Sequence, residues 1–248
     1  LRGARRPHST TIAEGLAQGV ALMALVDDEV AGARGSDWSN AVVRNILRRA
    51  AGADGGATMW RHIAPILPLL AEAAPDPFLD AVLDDLGAEA PSLRVLFPVD
   101  EGGPKDVFAP TSPHLYLLWA LQAVGRSKQH FDASMDAMAR LCPFDSVDPR
   151  SGDRAFSSLQ NMLYPWVQYT DAGSEAKLAF IERLIRREPS LAWRLMLGLL
   201  PSTHAFSTAP SRPRYRDWGP ETPDVSPAEW GTFVGRLVEL LIESAGRD

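Results

Sequence analysis

Between residues 212 and 218 the chain reads Arg-Pro-Arg-Tyr-Arg-Asp-Trp, which places three guanidinium groups and two aromatic rings within seven positions. Arginine fans its donors onto carboxylate or phosphate, and tyrosine and tryptophan offer flat faces that stack on bases or anchor a protein partner. With His204 upstream, Arg212, Arg214, Tyr215, Arg216 and Trp218 form a candidate interaction loop. The same residues admit a structural reading, in which the rings tuck under helices while the arginines pair with Asp217, Glu221 or a neighbouring helix. Arg183, Arg186, Arg187 and Arg194 enlarge the basic patch if they share its face, and are otherwise the solvated side of two helices.

Other chemistry is sparse. Asp145, Asp148 and Asp153 resemble a calcium loop but lack its Asp-x-Asp-x-Asp-Gly order and terminal Glu, so a solvated loop is expected. Asp80, Asp84 and Asp85 are expected on the solvent face of one helix rather than as a general acid–base pair. Cys142, the single cysteine, precedes Pro143 at a helix end and reads as an inert buried thiol. His8, His62, His114, His130 and His204 are scattered, with no His-Glu-x-x-His and no Cys-x-x-Cys, so neither a metal nor a cofactor is expected. No G-x-x-x-x-G-K-[ST] and no G-x-G-x-x-G occurs, which excludes these phosphate-binding motifs from the segment.

The elements that must position these residues are helical. Hydrophobic residues make up 46% and charged residues 23% of 248 positions, enough apolar material for a core. The net charge of −6 excludes a wholly basic nucleic-acid footprint and leaves only a local patch. No apolar run reaches membrane-spanning length, and one cysteine without a signal peptide points to a reducing cytoplasm.

Apolar residues recur with helical spacing from Ile12, and Thr11-Ile-Ala-Glu14 reads as a capping box. Ser36 is the expected cap of a second helix that ends at Gly52, Gly55 and Gly56. Pro65 and Pro68 predict a break in the third. Ser112-Pro113, Pro189 and Ser226-Pro-Ala-Glu229 mark later helix starts, and a helix is expected over 156–169. Trp119, Trp166 and Trp193 are expected in the core. Helix–break–helix segments superpose on Phe78, Phe131 and Leu191, at separations of 53 and 60 residues. These exceed the roughly 40–47 residues of a HEAT or armadillo unit, so the repeats are irregular or carry insertions.

The runs His114-Leu-Tyr-Leu-Leu-Trp119, Ser158-Leu159, Pro165-Trp166, Glu188-Pro-Ser-Leu-Ala-Trp193 through Pro201, and Arg212 to Trp218 resemble helical-repeat regions of large bacterial multidomain proteins of the defence or STAND-like NTPase kind. The resemblance covers residues 110–220, with a looser echo at Glu14-Gly15-Leu16. It implies a sensor or scaffold whose effector lies elsewhere in a longer chain, and it carries over no catalytic residue.

The expectation is therefore an all-α protein of irregular antiparallel helix pairs stacked as a HEAT-like or TPR-like array, with a compact helical bundle as the alternative. One continuous helical domain, a fragment of a longer chain, is expected: residues 1–97 as an N-terminal helical part, 98–113 as a loop, 114–203 as hairpin repeats, 204–225 as the Pro/Arg/aromatic loop and 226–248 as a final amphipathic helix. Its expected function is non-catalytic protein binding, to a partner or to a neighbouring domain of the same chain. A nucleic-acid-binding module using the 212–218 loop and an all-helical enzyme are the alternatives. No membrane partner is expected, and the oligomeric state is left open.

Overall fold

A computed structural model describes residues 9–31, 37–51, 56–97, 112–145, 154–202 and 207–246. The protein is all-α: among the described residues there is no β-strand. The chain divides into two compact units, one of residues 1–120 with 213–216, the other of residues 121–212 with 217–248. The expected loop at 98–113 lies mostly outside the described residues, as does the Ser36 cap; the division between the units falls after residue 120, inside a helix.

The first unit contains α1 (Thr10–Ala31), α2 (Asp37–Ala51), α3 (Gly56–Ile63), α4 (Leu67–Ala73) and α5 (Pro75–Leu86), and the start of α6 (Pro113–Val124). The break foreseen at Pro65 and Pro68 is a single 3-10 turn over Ala64–Ile66 between α3 and α4. Pro75 opens α5 at its first position, where its missing amide would be unbonded anyway. α1 begins two positions earlier than the Thr11 box implies, with the Ile12 and Ala13 amides bonding to the Ser9 carbonyl at 3.1 and 3.2 Å. It packs on α4 through the buried small residues Ala17, Ala21 and Ala24. Trp60, Leu67, Leu70, Phe78 and Leu93 fill the core of this unit.

The second unit takes the end of α6 and α7 (Phe131–Leu141), α8 (Ala155–Leu163), α9 (Ser174–Arg187), α10 (Pro189–Leu199) and α11 (Pro227–Ala245). α8 stops at Leu163, short of the expected Tyr169. Tyr164 precedes Pro165, whose ring pushes it to φ −50°, ψ 135°, out of the helical region. α9 and α10 are separated by Glu188 alone and pack on each other, with Phe180, Leu184, Leu195 and Leu199 buried. The Ser226 box is present in full. The Glu229 amide donates to Ser226 Oγ at 3.3 Å, and the Ser226 amide donates to Glu229 Oε2 at 3.2 Å. The Ser226 hydroxyl, which donates to Glu229 Oε2 at 2.8 Å, and then the Ser226 amide hold the Glu229 carboxyl below its usual pKa.

Candidate functional site

The 212–218 motif is contiguous in sequence but its residues serve different units. Residues 213–216 belong to the first, where they meet Glu72 on α4. Glu72 is 3% exposed. Its carboxylate accepts the backbone amides of Arg214 at 2.9 Å, of Tyr215, and of Arg216 at 2.7 Å. The Arg216 Nε also donates to the Glu72 backbone carbonyl at 3.2 Å. Successive backbone amides form a concavity suited to an anion, and here the protein's own carboxylate occupies it. The Arg214 guanidinium lies 5.4 Å from the Tyr215 ring and remains exposed.

Arg212, Asp217 and Trp218 belong to the second unit. Arg212 is exposed. The Trp218 carbonyl accepts Nε of buried Arg126 at 3.0 Å, and its ring sits 5.9 Å from that of His130. The Arg126 carbonyl in turn accepts the Asp171 amide at 2.8 Å and the Thr170 hydroxyl at 3.1 Å. Burial, and then the nearby Arg212, lower the Arg126 pKa, while Asp171 opposes them. Gly219 closes this arrangement, donating its amide to Asp171 Oδ2 at 2.9 Å. Its φ of +82° belongs to the left-handed region, and an added Cβ would lie 2.8 Å from Arg126 Nε and from the Tyr169 carbonyl. Gly219→Ala is therefore expected to lower stability by about 1–2 kcal/mol. An unchanged midpoint of urea unfolding would contradict this account. His204 lies outside the described residues.

Three of the four arginines of α9 and α10 are engaged on their own helices' neighbours, and Arg186 is exposed. Arg183 pairs with Asp132 at 2.6 Å and Arg187 with Asp136 at 2.9 Å, both on α7, while Arg194 covers the Phe156 ring at 3.8 Å. Exposed pairs of this kind contribute little stability, but they offset charge that an external phosphate would need.

Several acids and one lysine have structural posts that sequence pattern did not reveal. Asp85, expected on the solvent face, is buried and accepts the Ser92 and Leu93 amides at 3.2 and 2.9 Å; Asp80 and Asp84 are exposed as expected. Asp145 accepts the Ala155 and Phe156 amides at 2.8 and 3.0 Å and so caps α8, while Asp148 and Asp153 lie outside the described residues. The Cys142 thiol donates to the Met138 carbonyl at 3.3 Å, and burial raises its pKa. Lys177 of α9 is buried and donates to the carbonyls of Tyr164 and Val167, each at 3.2 Å. Burial lowers its pKa to about 8. No cluster of three or more His, Cys, Asp or Glu suited to a metal occurs among the described residues.

Two tryptophans expected in the core are instead at the surface: Trp119 is 37% and Trp193 39% exposed. Helical spacing reports an apolar position but not whether the protein's own core or something else covers it. Trp193 and Leu197 stand one turn apart on α10, both exposed, and Trp230, Val238 and Ile242 are exposed on α11. No protein-family model, curated protein or solved structure matches this chain.

Between α9 and α11 runs an open groove of about 660 Å³, floored by Leu178, Ala179 and Phe233. Arg236 crosses it to Glu182 at 3.0 Å and also holds Glu239 at 3.0 Å. Among the described residues no helix is long and apolar enough to cross a membrane. The described surface thus offers exposed apolar side chains at helical spacing, whereas the amides of 214–216 are committed to Glu72.

Proposed function

We propose that this chain is a non-catalytic helical scaffold or sensor segment that makes protein–protein contacts, built from helix pairs of the HEAT-like or TPR-like kind. Its proposed setting is the cytoplasm, within a larger bacterial multidomain protein. The observation that carries the reading is the pair Trp193 and Leu197, large apolar side chains exposed one turn apart on a well-packed helix. Tryptophan is among the residues that dominate binding energy when a partner desolvates it. The nucleic-acid alternative has less support, because Arg216 and three loop amides are engaged by Glu72 and the Trp218 ring faces His130.

The test is affinity capture from a lysate of the source organism, with the full chain and a Trp193→Glu/Leu197→Glu variant as baits. A discrete protein held by the parent through moderate salt, and weakened by at least about tenfold in the variant, is the expected result. Equal capture by both baits, or recovery of nucleic acid that salt releases, would overturn it.

A further inference from the structure

The groove between α9 and α11 extends past Arg236 and Glu182 into a second recess, of about 210 Å³, over Ile185 and Leu240. Its walls run from Ser174 beside Ala228 at one end to Arg186 beside Ser244 at the other. From Ser174 to Arg186 at about 1.5 Å per residue, the trough is roughly 18 Å long, the length of a three-turn helix. Leu178, Ala179 and Ile185 are only half-buried along it.

Charge is sorted across this groove. Most cations of α9 are committed elsewhere: Lys177 is buried, and Arg183 and Arg187 pair with Asp132 and Asp136 of α7. Both acids of α9, Glu175 and Glu182, line the groove instead. Of the acids of α11, Glu229 and Glu243 line it and Glu239 is held at its edge by Arg236. Five carboxylates therefore meet two guanidinium groups, those of Arg186 and Arg236. Arg236 is already divided among Glu182, Glu239 and Glu243, at 3.0, 3.0 and 3.4 Å. An apolar floor between acidic walls is the complement of an apolar stripe flanked by cations.

The form of the occupant follows from the walls. Both are helices whose backbone groups are paired internally, so an extended peptide would find no main-chain partner there. A helix brings its own hydrogen bonds and lays an apolar face into such a groove. We infer that the α9–α11 groove docks a basic amphipathic helix of a partner protein, with its apolar stripe on Leu178, Ala179 and Ile185 and its lysines or arginines against Glu175, Glu229 and Glu243. The contact uses neither Trp193 nor Leu197, so it stands or falls separately from the one proposed for α10.

Fluorescence anisotropy tests this with a labelled amphipathic peptide of Leu and Lys, about 14 residues long to fill the trough, at about 0.1 M salt. Its controls are a peptide of the same composition scrambled to lack an apolar face, and a Leu/Glu counterpart. The full chain and the Trp193→Glu/Leu197→Glu variant are expected to bind the Leu/Lys helix equally. Glu175→Lys/Glu243→Lys should bind it at least about tenfold more weakly, with helical circular dichroism unchanged. Glu175→Gln/Glu243→Gln should fall between, which separates the charge from any disturbance of the fold. Neither control peptide should bind. A full chain that leaves the Leu/Lys helix free, equal binding by the lysine variant, equal binding of the scrambled peptide, or loss confined to the α10 variant overturns the proposal.

Discussion

Glu72→Ala is expected to destabilise the first unit by about 3–5 kcal/mol, because it strips a buried acceptor from three consecutive amides. Each of the Arg214, Tyr215 and Arg216 amides would be left without its carboxylate partner. Glu72→Gln should fall between the parent and the alanine variant. Its single oxygen can still accept from one side, while its new NH₂ group faces amides that also donate. The same change should expose Arg214 and Arg216 to trypsin, since their backbone would no longer be pinned to α4. Urea unfolding and a timed tryptic digest check both consequences. A Glu72→Ala midpoint equal to that of the parent, with no new cleavage after these arginines, would show that the carboxylate is incidental.

The second large effect is a rise in stability with pH, traced to Lys177. Its folded pKa of about 8 lies below the ordinary 10.5, because burial disfavours the ammonium. Below about pH 8 both folded and unfolded chains carry the proton, and the folded chain bears the full desolvation cost. From pH 8 upward the folded chain releases the proton while the unfolded chain keeps it, so the unfolded state binds more protons and stability increases. The gain attributable to Lys177 is expected to reach about 2–3 kcal/mol by pH 10. Neutral lysine still donates to the Tyr164 and Val167 carbonyls, so the anchor survives the loss of charge. Above pH 10 Tyr164 opposes the trend: burial raises its pKa, so the unfolded chain ionises first. Unfolding free energies of the parent and Lys177→Met, measured from pH 7 to 10, should diverge with pH. Parallel curves would refute the assignment.

Helix identity and many helix ends were legible because they are local. Pro113, Pro189 and Ser226 sit where proline and capping chemistry place a first turn, and the apolar spacing between them is helical throughout. The end of α8 was equally local, since Tyr164 before Pro165 is barred from the helical region, but the apolar run through Trp166 masked it. The arginine-rich loop was visible as a feature, while its partner was not. Glu72 stands alone among apolar neighbours from Leu67 to Ala74, and that isolation was the available signal. What it binds is backbone amide, which every non-proline residue supplies, so no side-chain pattern pointed from position 72 to positions 214–216. Asp85 and Asp145 escaped for the same reason. Trp119 and Trp193 were misplaced because one apolar rhythm serves both a core position and an exposed position on a helix.

The return of residues 213–216 to the first unit bears on the order of events during synthesis. Glu72 and the Arg214 amide are 142 residues apart. At about 5–20 residues per second a ribosome takes roughly 7–30 s to span that interval. Throughout it the α4 carboxylate has emerged without the amides that will enclose it. The first unit therefore reaches its final hydrogen-bonded state late, after most of the second has been made. A chain halted before residue 213 should hold a looser N-terminal half than the finished protein does.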